Sequence, residues 1–379
     1  MTQFTGHTNS LMGHHLSDAE LNRFFDSDAP VDDSHRIRAL LRQQLDPQSG
    51  WPKLIANSET YRQGLITTVR VEGIELRLVC NQTRAPSLQA STFEGKPSAL
   101  TTRCFLCELE PLQRGVLIQG DRYIALVNPG ITLPGDLTIA ATTHRRQVIA
   151  GSFSDMLAIT RTLSAYSIYF NGALSGASSP HFHFQAGLKD QLPGEIQLFQ
   201  LLSGMNWPAV QIDPLYQTPD LGVLTVSGFL RTVHLVRAAD PARLVDFFNW
   251  YAEQLAIVDQ AIRQMPNIPD FGSWIDSLGQ PESEGRMNIC LRYEPNDRTY
   301  LAALFSKRFN RPSCYYRSPA EQIILGMAIK EALGHVITCR KQDFERLQQH
   351  PEWIAEAYRD TSITPSMLAD LNDRLSRFH

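Results

Sequence analysis

Residues 178 to 186 read Ser-Ser-Pro-His-Phe-His-Phe-Gln-Ala. In an extended chain, side chains two apart share a face. His181, His183 and Gln185 therefore point one way, while Phe182, Phe184 and Ala186 point the other way, into a core. The segment is bound to be a half-buried strand whose polar face looks into a site. The ordinary alternative is a strand with two histidines hydrogen-bonded inside a core. The turn that precedes it, Asn171 and Gly172 through Ser175, Gly176, Ala177, Ser178 and Ser179 to Pro180, weakens that alternative. Such a turn presents backbone N–H groups and hydroxyls to an anion.

An imidazole is a competent nucleophile towards phosphorus near neutral pH, because much of it is unprotonated there. The phosphoramidate it forms is labile, so a second acceptor can take the group. The amide of Gln185 can donate to a phosphate oxygen throughout, but unlike a third histidine it cannot exchange a proton.

The chain has 379 residues, 43% hydrophobic and 20% charged, with a formal net charge of -4. That describes an ordinary globular chain, long enough for one large or two small cores. It lacks the basic excess of a nucleic-acid binder. No run approaches the ~18 apolar residues of a membrane span. The first residues have neither a basic start nor an apolar run, so no export signal is expected. The six cysteines (80, 104, 107, 290, 314 and 339) are too sparse for a disulfide scaffold. The expected compartment is the cytoplasm.

Three stretches are expected. Residues 1–102 form an N-terminal extension. Within it, a capping box at Ser17 and Glu20 opens a short helix, 34–44 form a second helix, 64–82 a β-hairpin and 83–102 a loop. His14 and His15 read as part of a loose end. Residues 103–190 form a compact core. Its expected strands are Tyr123 to Val127 and Leu137 to Ala141, and a helix is expected from Ser154 to Phe170, before the histidine strand. Residues 191–379 complete the sheet and cleft. Their expected elements are a strand at 222–237, a helix at 241–264, strands at Met287 to Tyr293 and Thr299 to Phe305, and helices over 341–378. The order of strands and helices in both halves permits a distant duplication, although the second half has no matching His-x-His.

The run from Asn171 to Gln185 resembles the active-site motif of the histidine-triad superfamily. It is most similar to the transferase branch: galactose-1-phosphate uridylyltransferase, diadenosine tetraphosphate phosphorylase and the GDP-hexose phosphorylases. The hydrolase branch has a third histidine where this chain has Gln185. The resemblance covers about 103–190. It implies an α+β fold, with a histidine-triad-like antiparallel sheet, helices and two degenerate halves. It implies that His183 is the nucleophile and that Ser178 and Gln185 contact phosphate. Ser179 stands where the uridylyltransferase pattern has Asn. Asn128 falls near the ribose-binding turn, and Asn171 and Gly176 line the substrate side of the motif.

Cys104-x-x-Cys107, with His144 and His181, forms a candidate Cys₂His₂ set of the kind that closes around a structural zinc. The resemblance supports zinc. A redox pair and plain buried cysteines are the alternatives. For the second substrate's phosphate, the basic cluster Lys307, Arg308 and Arg311 is the candidate, set against a solvated loop. Arg145 and Arg146 read as surface charge, and His234 as a core histidine.

The expected activity is that of a nucleotidyltransferase or phosphorylase. A nucleoside monophosphate passes from a sugar nucleotide or dinucleoside polyphosphate, through His183, to phosphate or a sugar phosphate. The rivals are a histidine-triad-type nucleotide hydrolase and a non-catalytic nucleotide-binding regulator. Neither nucleic acid nor membrane is an expected partner, and a homodimer is compatible with the sequence.

Overall fold

The computed structural model describes residues 11–26, 31–85, 88, 104–264 and 284–379. Part of the 83–102 loop expectation lies outside them. Among the described residues, no helix is long and apolar enough to cross a membrane.

The N-terminal extension holds helices α1 (Asp18–Leu21), α2 (Asp33–Gln44) and α3 (Pro52–Arg62), then a hairpin of β1 (Leu65–Val71) and β2 (Ile74–Cys80). The Ser17–Glu20 capping box is present, so both orphan donors at the start of α1 are satisfied. His14 and His15 are not part of a loose end. His14 Nδ1 donates to the Gln113 carbonyl at 2.8 Å, and His15 bridges Gly115 at the sheet edge.

The principal sheet has ten strands. The first five are β3 (Gly115–Ile118), β4 (Tyr123–Val127), β5 (Leu137–Ala141), β6 (Tyr166–Asn171) and β7 (His183–Leu188). Helix α4 (Phe153–Thr162) joins β5 to β6, and α5 (Pro193–Leu202) follows β7. The second five are β8 (Gln211–Gln217), β9 (Leu221–Ser227), β10 (Val233–Ala238), β11 (Met287–Glu294) and β12 (Thr299–Ser306). Helix α6 (Pro241–Arg263) lies between β10 and β11 in the chain, with Pro241 at its first position and the Asp240 side chain accepting from Ala242 N.

The sheet order is β3-β4-β5-β7-β6-β11-β12-β10-β9-β8, and every pairing within it is antiparallel. Read inward from either edge, the two halves follow one plan. A three-strand meander comes first, then a helix, then two strands of which the second pairs with the meander's third. The halves meet where β6 pairs with β11. Their helices also meet, with Phe153 of α4 stacked on Phe248 of α6 at 3.8 Å. The duplication permitted by the sequence is therefore present in the topology. β12, the counterpart of β7, carries no histidine, and residues 299–306 are all buried.

One face of the sheet packs against α2, α4, α6 and the last helix, α10 (Pro365–Leu375), with Phe182, Phe184, Phe170, Ile289 and Leu304 in the core. Burying each such side chain contributes about 1.5–3 kcal/mol. The other face packs against a small sheet, β1-β2-β13, in which β13 (His335–Thr338) runs parallel to β2. Helices α5, α7 (Ile329–Ala332), α8 (Lys341–Gln349) and α9 (Glu352–Thr361) share that layer.

Two expectations are corrected. The run from Ser154 to Phe170 is not one helix. It breaks at Leu163, and Tyr166 onward forms β6. Spacing at 159, 163, 166 and 170 fits a helix, but all six residues of β6 are buried at the sheet centre, where strands read as continuous apolar runs. The run at 222–237 is a hairpin rather than a single strand, because it turns at Gly228, whose φ is +77°. A Cβ there would lie 2.0 Å from the Ala209 carbonyl oxygen, so only glycine fits that turn.

Candidate active site

His183 opens β7 and is 3% exposed. Its Nδ1 lies 2.8 Å from the carbonyl oxygen of His181. A carbonyl only accepts, so Nδ1 carries the proton and Nε2 keeps its lone pair. Burial pushes the pKa of this ring down to about 4, so the ring is neutral at pH 7. These are the requirements for a nitrogen nucleophile.

His181 is fixed in the complementary way. Its Nε2–H donates to the Ala141 carbonyl at 2.6 Å, which leaves Nδ1 facing Cys107 Sγ at 3.3 Å. His144 Nδ1 lies 3.0 Å from the same sulfur. One donor atom from each of Cys104, Cys107, His144 and His181 falls within 4.8 Å of the others. Hydrogen bonds from Cys107, His144, His181 and Ser179 pull the Cys104 thiol well below its ordinary range. Two soft sulfurs and two correctly turned imidazoles form a set that could hold a metal ion, and the bond to Ala141 is the outer-shell support such ligands use.

The turn before β7 is held from the second half of the chain. Asn171 Oδ1 accepts from Asn288 Nδ2 at 2.7 Å and from Ile329 N at 2.8 Å, and Asn288 Nδ2 also donates to the Ser175 carbonyl at 2.6 Å. Gly176 has φ +105°, and a Cβ there would lie 2.6 Å from the Ala328 Cβ. The side-chain oxygen of Asn171 is thus occupied in bracing the turn. Ser178 is exposed on the turn, and Gln185 is half-buried beside β6. Ser179 is fully buried, where its hydroxyl accepts from His181 N at 3.2 Å and lies 3.5 Å from Cys104 Sγ. Asn128 closes its own turn by accepting from Gly130 N at 3.0 Å, and it donates weakly to Asp136.

Asp136 is a focus that no local sequence pattern singles out. Its Oδ2 accepts from Thr132 Oγ1 at 2.7 Å and pairs with Lys330 Nζ at 2.5 Å, with both charged side chains buried. This pair ties the turn between β4 and β5 to α7.

The basic cluster divides. Lys307 lies two residues beyond Phe305, which pairs with Asn288, itself paired with Asn171. Lys307 thus follows β12, which lies three strands from β7 in the sheet order. Lys307 is 4% exposed, and burial pushes its pKa down to about 7, with Glu331 the nearest opposing influence. Arg311 is also buried, with its guanidinium over the Tyr315 ring. Arg308 instead donates to the Asp360 carbonyl at 2.9 Å, near the end of α9. Arg145 is no loose surface charge, since it lies over Phe182 and donates to Ser152 Oγ and Tyr123 OH. His234 donates to Asn372 Oδ1 at 2.8 Å, a core histidine as expected.

The fold is thus a ten-stranded antiparallel sheet in two like-ordered halves, with the His-x-His-x-Gln segment leading into the strand next to the junction. Among solved structures the fold is that of the yeast Ap4A phosphorylase Apa2. The TM-score is 0.51 at 13% identity, covering 85% of this chain and 94% of that one. The same yeast enzyme in complex with AMP matches at TM-score 0.48 and 11% identity (82% and 96% covered), and in complex with Ap4A at 0.47 and 10% (86% and 97%). Residues 40–188 match the family model described as a domain of unknown function, DUF4922. No curated protein matches the sequence.

Proposed function

We propose that the protein is a nucleotidyltransferase of the phosphorylase type. The observation that carries this reading is the tautomer of His183, with Nδ1–H spent on the His181 carbonyl and Nε2 free in a buried, neutral ring. In the first half-reaction the Nε2 lone pair forms a bond to the α-phosphorus of a dinucleoside polyphosphate or sugar nucleotide. The P–O bond to the distal part breaks, and the electron pair leaves with that part. In the second, an oxygen of inorganic phosphate or of a sugar phosphate attacks the same phosphorus, and Nε2 recovers its pair. Ser178, Gln185 and the N–H groups of the turn at Gly176 would hold the phosphoryl oxygens. Lys307 and Arg311 would draw the acceptor's phosphate. Arg308, engaged at the end of α9, fits the loop side of that cluster.

The fold shared with an enzyme named for Ap4A phosphorolysis favours the polyphosphate among these donors. Gln185 favours transfer over hydrolysis, because it cannot relay a proton to water. Zinc would be held by Cys104, Cys107, His144 and His181 as a closed structural site, stiffening the strand two residues before the nucleophile. The test is turnover of Ap4A and of nucleoside diphosphate sugars with and without phosphate. Phosphate-dependent turnover is expected, and turnover indifferent to phosphate and to sugar phosphates would point to the hydrolase.

A further inference from the structure

We infer that Gln147 is the positioning residue of the nucleophile, an amide wedge that replaces the missing sheet rungs beside His183. The role assumes the nucleophile proposed above; the contacts do not depend on it.

The backbone N–H and C=O of Phe182 face the β5 side, since Ala141 N donates to the Phe182 carbonyl at 2.9 Å. By alternation, those of His183 face β6. Yet the β6–β7 ladder stops at Tyr169–Gln185. The strands part there, and Gln147 fills the gap. Its Oε1 accepts from His183 N at 2.8 Å, while its Nε2 donates to the His183 carbonyl at 3.0 Å and to the Asn171 carbonyl at 2.9 Å. One fully buried side chain thus satisfies both backbone groups of the nucleophile and one carbonyl of the neighbouring strand. A carboxamide is the only side-chain group that offers an acceptor and a two-hydrogen donor in this plane.

Two further connections give the wedge its meaning. Gln147 lies three residues after His144, so the segment carrying a metal-type ligand also holds the peptide of His183. Asn171 is itself braced by Asn288 and Ile329, so the wedge refers the nucleophile to the second half of the sheet. Misplacing a reacting atom by about 1 Å can cost on the order of 10²-fold in rate.

The test uses the full chain as purified, with Gln147→Met, which has similar length and no hydrogen bonds. Gln147→Glu is the second variant, because in either protonation state at least one of the two carbonyls loses its donor. Two readouts are taken at fixed pH. One is the rate of nucleotidyl labelling of His183, with Ap4A as the probe. The other, which needs no substrate, is the ¹⁵N spectrum of the His183 ring. The expected result for whichever variant folds is a fall of tenfold or more in the labelling rate at saturating probe. The half-saturating concentration should stay within threefold, metal content should be unchanged, and the ring should move from a fixed Nδ1–H tautomer to a mixture. Wild-type labelling rates together with a wild-type ring spectrum would overturn the inference. So would an effect confined to half-saturation. If the wild type itself is not labelled, the proposed function fails and the ring spectrum alone decides the role of Gln147.

Discussion

His183 and His181 are joined by a bond within one strand: the Nδ1–H of His183 donates to the carbonyl of His181 at 2.8 Å. His181 in turn offers its own Nδ1 to the cysteine pair. The residue that would bind the metal therefore sets the tautomer of the residue that would carry the nucleotide, through one carbonyl group.

The burial of the His183 ring gives a pH prediction. Burial disfavours the imidazolium, so the ring stays neutral well below the usual histidine range, down to a pKa of about 4. The single-turnover labelling rate at saturating donor should be flat from pH 8 to 6 and fall only below about pH 5. An acid limb centred near the ordinary value of ~6.5 would contradict it.

Metal content is the second prediction. Protein purified without chelators should carry about one zinc per chain. Cys107→Ser should lose it and lower Tm, since Cys107 touches both histidines of the set. A wild type with neither zinc nor iron would refute the four-ligand site.

The two-faced histidine strand and the Cys/His cluster were legible in the sequence for a physical reason. Alternation of His181, Phe182, His183 and Phe184 announces a two-faced strand, and paired cysteines are rare enough to be noticed. What escaped depends on partners far away in the chain. Gln147 is an ordinary polar residue until the gap beside His183 is known. Asp136 and Lys330 lie 194 residues apart. β6 reads as helix in the sequence because Tyr166 to Phe170 satisfies helical spacing, and its strand form is imposed by neighbours on both sides.

The Asp136–Lys330 pair yields the third prediction. Both side chains are buried, so removing one leaves an uncompensated charge, a change that typically costs about 3–5 kcal/mol. Lys330→Met should lower unfolding free energy in urea by that order. Asp136→Leu combined with Lys330→Met should recover part of the loss. Equal stability of the single and double variants would show that the charge is not the cause.

Gly176 gives the fourth. Its φ of +105° and the 2.6 Å approach of an added Cβ to the Ala328 Cβ leave no room for a side chain. Gly176→Ala should cost about 1–3 kcal/mol through overpacking and slow labelling. Adding Ala328→Gly should relieve the contact, leaving only the backbone strain. A Gly176→Ala variant as stable and as fast as wild type would mean that the turn yields freely.

The most direct test of the central claim is intact-protein and peptide mass spectrometry after mixing with Ap4A or a nucleoside diphosphate sugar, quenched without acid. The account predicts one nucleoside monophosphate on His183, discharged by phosphate or a sugar phosphate and absent in His183→Asn. Turnover of the donor with no adduct on His183, or turnover that survives His183→Asn, would contradict it.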